Sequence, residues 1–361
     1  MHGIDLYLAK TPRHWWLAHA IAAAEARPAV LMVTEGFHGA EQLIELSKSI
    51  KNSPFLTVEL IPGKRSSHRY GFFKRRFYKH FEWSIQKQAI DRILAKYDVS
   101  RFITANLTAL PTQYIYHRYQ QTDCQFWVLD DGLVQYRPEI IQQKTHLDEQ
   151  YQSLLKGFKV RFPKQDQILP FFSHGWFFAP ALLHHRLKHL HANKIELHYF
   201  DKPVMTELSN RLFKTMSLNS QKWQQSKVVF VFSNESYLQT DCEGFTRAKF
   251  EQAIQDFINK NNLQDHAVWV KYHPREHEED VFGLKKHYPN CEFIPSQIPF
   301  EVIVTSLKPA DYVVGELSTV LFDVALNRPD VSVHSLMCVT KQKPEYELFN
   351  KAGVCLHRVG Q

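Results

Sequence analysis

Short apolar runs recur through the first part of the chain, separated by stretches with helical spacing. IDLYLA (4–9), AVLMVTEG (29–36), FLTVELIP (55–62), RFITA (101–105) and QFWVLD (125–130) each read as a strand. Between them, TPRHWWLAHAIAAAEA reads as a helix capped by Thr11, with Pro12 in its first turn. AEQLIELSKSI (40–50) is helical, SIQKQAIDRILAKYD (84–98) has the i, i+3, i+4 spacing of an amphipathic helix, and LPTQYIYHRYQ is a short one. Uninterrupted apolar strands alternating with helices predict a parallel sheet covered on both faces.

Residues 139–225 are less regular, with helical patterns and an aromatic loop, FFSHGWFFAP (171–180). The alternation then resumes. KVVFVFS (227–233), AVWVKYHP (267–274), CEFIP (291–295) and ADYVVG (310–315) are predicted strands. GFTRAKFEQAIQDFINKNN (244–262), PFEVIVTSL (299–307) and STVLFDVALN (318–327) are predicted helices. The pattern implies twin α/β, Rossmann-like domains facing a cleft. The first is expected over 1–225, with a helical and aromatic insertion at 139–225. The second is expected over 226–361, its last helix packing back on the first.

Bulk properties narrow the class. At 361 residues, 44% hydrophobic and 22% charged, the chain suits two domains with separate cores. It shows no signal-peptide stretch and no run of eighteen apolar residues, so a cytoplasmic protein without a spanning helix is expected. Five scattered cysteines, none in a C-x-x-C pair, argue against a zinc site or disulfide framework. A net charge of +7 and a pI near 9.0 suit a phosphate-bearing ligand, an anionic membrane, a polyanionic acceptor or nucleic acid.

Three motifs stand where the predicted strands end. Asp130-Asp131-Gly132 follows QFWVL. One aspartate there is ordinary turn chemistry, but adjacent strand residues face opposite ways, so at most one of two would aim into a cleft. His273 ends the strand before Pro274 and has Lys271 and Arg275 nearby. A histidine so placed either belongs to a basic surface loop or donates to a phosphate or leaving group. Ser318 and Thr319 open a helix after a strand–Gly turn, which serves as a plain N-cap or as an anion site.

The ordered set resembles bacterial sialyltransferases and polysialyltransferases of the GT-B fold. These carry an acidic pair followed by Gly, then His-Pro, then a pair of hydroxyl residues. The segment IPFEVIVTSLKPADYVVGELST and the opening LYLAKTPRHWWLAHAIA are also similar to that family. The resemblance implies a general base at Asp130 or Asp131, with Asp130 preferred as first of the pair. It implies that His273 contacts the phosphate of a CMP-sugar and assists departure of CMP. Ser318 and Thr319 would bind that phosphate, Glu301 the ribose, and Lys271 and Pro274 would lie near the nucleotide. No metal or other cofactor is expected, since fixed donors can neutralise one phosphate monoester.

The implied function is transfer of a sialic-acid-like nonulosonate (sialic, pseudaminic or legionaminic type) from CMP to a capsule or lipooligosaccharide acceptor. CMP-Kdo transfer is the nearest alternative, and a noncatalytic nucleotide- or polyanion-binding protein is an alternative of another class. The stretch GKRSSHRYGFFKRRFYKHFEW (63–83) interleaves seven Lys/Arg with seven aromatics. It reads as a solvated face, as a dock on the inner membrane, or as a grip on an anionic or lipid-linked glycan acceptor. No nucleic-acid partner is expected, since the ordered α/β motifs rank single-strand binding below these readings. The aromatic loop at 171–180 is open between internal packing and a lipid or acceptor contact.

Overall fold

A computed structural model describes residues 3–37, 39–69, 71–137, 145–162, 168–215, 220–232, 246–273, 280–295, 298–316, 318–337 and 344–358. The chain divides into two compact units, Met1–Ser209 and Asn210–Gln361. The division falls inside one helix, Pro203–Thr215, ahead of the 225/226 junction expected from the sequence. No break in composition marks it, because that helix runs straight through.

The first unit is a parallel sheet of seven strands in the order β3-β2-β1-β4-β5-β6-β7. They are β1 (Ile4–Ala9), β2 (Ala29–Thr34), β3 (Phe55–Ile61), β4 (Val99–Thr104), β5 (Gln125–Leu129), β6 (Phe172–Phe177) and β7 (His191–Lys194). β1 and β2 are buried along their whole length, as strands covered on both faces must be. The covering helices are α1 (Pro12–Glu25), α2 (Ala40–Ser49), α3 (Phe72–Leu94) and α4 (Leu110–Tyr119), followed by α5 (Leu133–Tyr136), α6 (His146–Lys156) and α7 (Pro203–Thr215). The hydroxyl of Thr11 accepts from the His14 amide and caps α1. That helix buries Trp15, Trp16, Leu17 and Ile21 against the sheet.

Two expectations change here. The aromatic stretch at 171–180 is mostly strand, not loop. β6 pairs with β5 and β7, and Phe172, Trp176, Phe177 and Phe178 are buried. Internal packing therefore accounts for its aromatics. Within the region expected to be a helical insertion, β6 and β7 instead extend the sheet.

The second unit holds six parallel strands in the order β10-β9-β8-β11-β12-β13. They are β8 (Lys227–Val231), β9 (Ala267–Lys271), β10 (Glu292–Phe293), β11 (Tyr312–Gly315), β12 (Ser332–Met337) and β13 (Cys355–Arg358). Its helices are α8 (Ser220–Trp223), α9 (Arg247–Lys260), α10 (Leu284–His287), α11 (Phe300–Val304), α12 (Thr319–Asn327) and α13 (Pro344–Ala352). α9 carries Phe250, Ile254, Phe257 and Ile258 into a core with Phe230, Phe232, Val270 and Phe282. Both strand orders reverse direction beside the first strand of their unit. Open α/β sheets bind ligands outside the carboxyl ends of the strands at such a switch point.

Candidate active site

Asp130 and Asp131 leave the end of β5 in opposite senses, and their surroundings differ completely. Asp130 is fully buried. Its Oδ1 accepts from Arg13 Nη2 at 2.7 Å and from the Gly132 amide at 2.8 Å. Its Oδ2 accepts from the Tyr136 hydroxyl and from the Phe178 amide, the latter at 3.1 Å. A carboxylate has about four lone-pair sites, and these donors occupy all of them. Burial, and then the charge on Asp130, push the Tyr136 hydroxyl well above its ordinary pKa, so it remains a donor. Gly132 completes the turn at φ 68°, ψ −144°, a conformation that only glycine adopts cheaply.

Asp131 has a side chain 32% exposed. Its Oδ1 lies 2.7 Å from His14 Nε2, and its amide donates to Gln135 Oε1 at 3.0 Å. His14 is buried in the first turn of α1, and its Nδ1 accepts from the Lys10 amide at 3.4 Å. With Nδ1 accepting, Nε2 carries the proton that it shares with Asp131. Among the described residues Oδ2 of Asp131 makes no hydrogen bond. The arrangement holds one carboxylate oxygen from behind and leaves the other open. Lys10, between β1 and α1, is lowered to about 8 by burial and then by the charge of Lys64.

Sequence reasoning singled out the aspartates but not Arg13, His14 or Tyr136, which decide what each aspartate can do. The available signal was Arg13-His14, two nitrogen-bearing side chains directly after the cap of a helix that starts at a strand end.

In the second unit the remaining described candidates share one sheet edge. Val231, Lys271 and Gly315 are in register across β8, β9 and β11. His273 leaves from β9, and Ser318 and Thr319 leave from β11, on either side of β8. Two strand spacings, about 9.5 Å, therefore separate the points of departure. A Cβ at Gly315 would fall 2.2 Å from the Val231 carbonyl oxygen, so only glycine lets β11 end this close to β8. Ser318 Oγ accepts from the Leu321 amide at 3.4 Å, which is ordinary N-capping. Thr319 is half-buried at the first helical position.

Lys271 is buried and donates from Nζ to the Pro295 carbonyl at 3.2 Å. Burial lowers it to about 8, and the charge of Glu301, in the first turn of α11, works against that fall. Tyr272 donates to Asp280 at 3.1 Å, and Asp280 also accepts the Leu284 and Lys285 amides. This anchors the backbone on which the half-buried His273 stands. Pro274 lies outside the described residues. Among the described residues no group of three or more His, Cys, Asp or Glu is placed to hold a metal ion.

Two parallel-sheet Rossmann-like units in one chain define the GT-B class of fold. Solved structures with this architecture are similar to the chain throughout. The UDP-GlcNAc 2-epimerase of Methanocaldococcus jannaschii matches at TM-score 0.52 and 11% identity, over 98% of this chain and 88% of that one. The Neisseria meningitidis UDP-GlcNAc 2-epimerase, solved with UDP-GlcNAc bound, matches at TM-score 0.50 and 11% identity, over 98% and 86%. At that identity the likeness concerns the fold. No curated protein sequence matches the chain. The sequence profile of the alpha-2,8-polysialyltransferase family (POLYST) matches residues 13–337. The chain belongs to that family, and it is a glycosyltransferase of the sialyltransferase type.

Proposed function

We propose that the protein transfers a nonulosonic acid of the sialic, pseudaminic or legionaminic type from its CMP donor to a cell-surface glycan, without a metal ion. The observation that carries this reading is the division of labour within the acidic pair. Asp130, buried and saturated with donors, has no lone pair left for a substrate proton. Asp131 has an open oxygen and a histidine behind it. We therefore assign the base to Asp131 and the bracing role to Asp130, the reverse of the order that sequence position suggested.

In the proposed step the acceptor hydroxyl gives its proton to Asp131 as its oxygen attacks the anomeric carbon of the donor. The bond from that carbon to the phosphate oxygen breaks, and CMP leaves with the electron pair. His273 donates a hydrogen bond to the departing phosphate, and Thr319 with the free amides opening α12 supports it. Lys271 supplies positive charge from within the sheet edge, Glu301 takes the ribose hydroxyls, and Pro274 limits the freedom of His273. The basic stretch at 63–83 serves an anionic acceptor or an anionic membrane surface rather than the donor.

Thermal shift with CMP, CDP, UDP and GDP in chelator-treated buffer tests the donor assignment, because a ligand that binds only the folded state raises the melting temperature. Selective stabilisation by CMP is expected. Stabilisation by UDP or GDP alone, or only after Mg²⁺ or Mn²⁺ is restored, overturns it.

A further inference from the structure

Helix α6 is turned the wrong way for a helix of a folded core. Its apolar residues Leu147, Tyr151, Leu154 and Leu155 fall on one face by helical spacing, yet they are 56–83% exposed. No residue of the helix is buried. The face it turns to the protein is polar. Glu149 Oε1 accepts the Phe162 amide at 2.6 Å, and Ser153 Oγ accepts the Val160 amide at 2.9 Å. The helix does not depend on burial to form. Thr145 and Asp148 make a reciprocal capping box, and Gly157 closes the C-terminus at φ 73°.

We propose that α6 seats the protein on an anionic lipid bilayer, with Leu147, Tyr151, Leu154 and Leu155 in the headgroup–acyl boundary. This deepens the reading of the 63–83 stretch as membrane-facing and rests on that reading. Two features favour lipid over a second copy of the chain. An eleven-residue helix is about 16 Å long and about 10 Å across, far short of the roughly 800 Å² per partner that a stable dimer buries. Charge also enters. Lys156 in the last turn and the exposed Lys159 just past the helix offset Asp148 and Glu149, and the basic stretch at 63–83 supplies the surplus that suits anionic headgroups. Phe158, next to Lys159, packs on Trp83 of α3 at 5.6 Å and on Tyr114 of α4 at 5.4 Å. That contact places the C-terminal end of α6 beside Trp83 of α3, a helix whose sequence carries Lys74, Arg75, Arg76 and Lys79 before that residue.

The test is flotation of the full chain with phosphatidylcholine vesicles, with and without phosphatidylglycerol, at low and high salt. The parent should float with the anionic vesicles. The double variant Leu147→Ser/Leu154→Ser should partition at least about tenfold more weakly, with circular dichroism and melting temperature unchanged. Lys74→Glu/Arg75→Glu/Arg76→Glu should weaken the same binding in a salt-dependent way. If that charge reversal abolishes flotation while the leucine variant floats like the parent, α6 is not the seat but the membrane reading stands. If the parent floats with no vesicle, both fall. A parent dimer that the leucine variant converts to monomer would assign the stripe to a second copy and overturn the proposal.

Discussion

Replacing Asp130 by Asn keeps the shape of the side chain and inverts the hydrogen bonding on one of its two oxygens. The retained oxygen can still accept from Arg13 and Gly132, but the new amide then meets the Phe178 N–H, donor against donor. Flipping the amide moves the conflict to Gly132 and Arg13. In either pose the buried Arg13 guanidinium loses the negative charge of Asp130. Breaking a buried ion pair by removing one partner costs about 3–5 kcal/mol. For a unit of 209 residues each kcal/mol is worth roughly 2–4 °C. A melting temperature lowered by about 6–20 °C is therefore expected of Asp130→Asn. Asp131→Asn should melt within a few degrees of the parent, since its half-exposed amide can still accept from His14. It should also bind CMP normally, yet transfer sugar about 10²–10⁴-fold more slowly, as loss of a general base requires. Scanning calorimetry and a transfer assay on the two variants decide the matter. An Asp130→Asn protein that melts like the parent but fails to transfer would falsify the division of roles.

Further outcomes concern the second unit and the buried histidines. His273→Ala, and separately the double change Ser318→Ala/Thr319→Ala, should weaken CMP binding by roughly 1–3 kcal/mol per lost phosphate contact. Parental affinity in calorimetric titration of both variants would put the phosphate elsewhere. Lys271→Met removes the buried ammonium together with its bond to the Pro295 carbonyl. Because Lys271 loses its proton near about 8, CMP affinity of the parent should decline from pH 7 to 9, and the variant should lack that decline. His19 is held neutral in the core, lowered to about 4 by burial while it bonds the Trp15 carbonyl. A depressed histidine pKa gives stability that is full above about 6.5 and lost as pH falls toward 4, up to about 3 kcal/mol. Urea melts between pH 7 and 4.5 should show that loss, and His19→Gln should show a shallower one. Equal slopes would remove His19 from the acid response.

The elements legible in the sequence are those whose environment is uniform. Strands β1, β2, β5, β8 and β9 are nearly continuous apolar runs because helices cover both faces, and each was readable from that run. The edges were not. β7, HANK, has no apolar pattern because it ends the sheet. β6, FSHGWF, hides behind a glycine and ring stacking, with His174 against Trp127 at 4.6 Å. β12 and β13 carry His334 and His357, a hydrogen-bonded imidazole pair at 2.9 Å that breaks any simple apolar alternation. At the site, alternation along the strand correctly required the two aspartates to part company. Which of them faces inward depends on Arg13, 117 residues earlier, and on the Phe178 amide, 48 residues later. No local pattern contains those partners.

The most direct test of the account is acceptor-dependent release of CMP. Purified protein in chelator-treated buffer would be given a CMP-nonulosonate and an oligosialic or lipooligosaccharide acceptor, with the acceptor mass followed alongside free CMP. The account predicts CMP release that requires acceptor, an acceptor heavier by whole nonulosonate residues, and loss of both in Asp131→Asn. Transfer only from a UDP- or GDP-sugar, a strict need for added metal, or parental turnover by Asp131→Asn would contradict it.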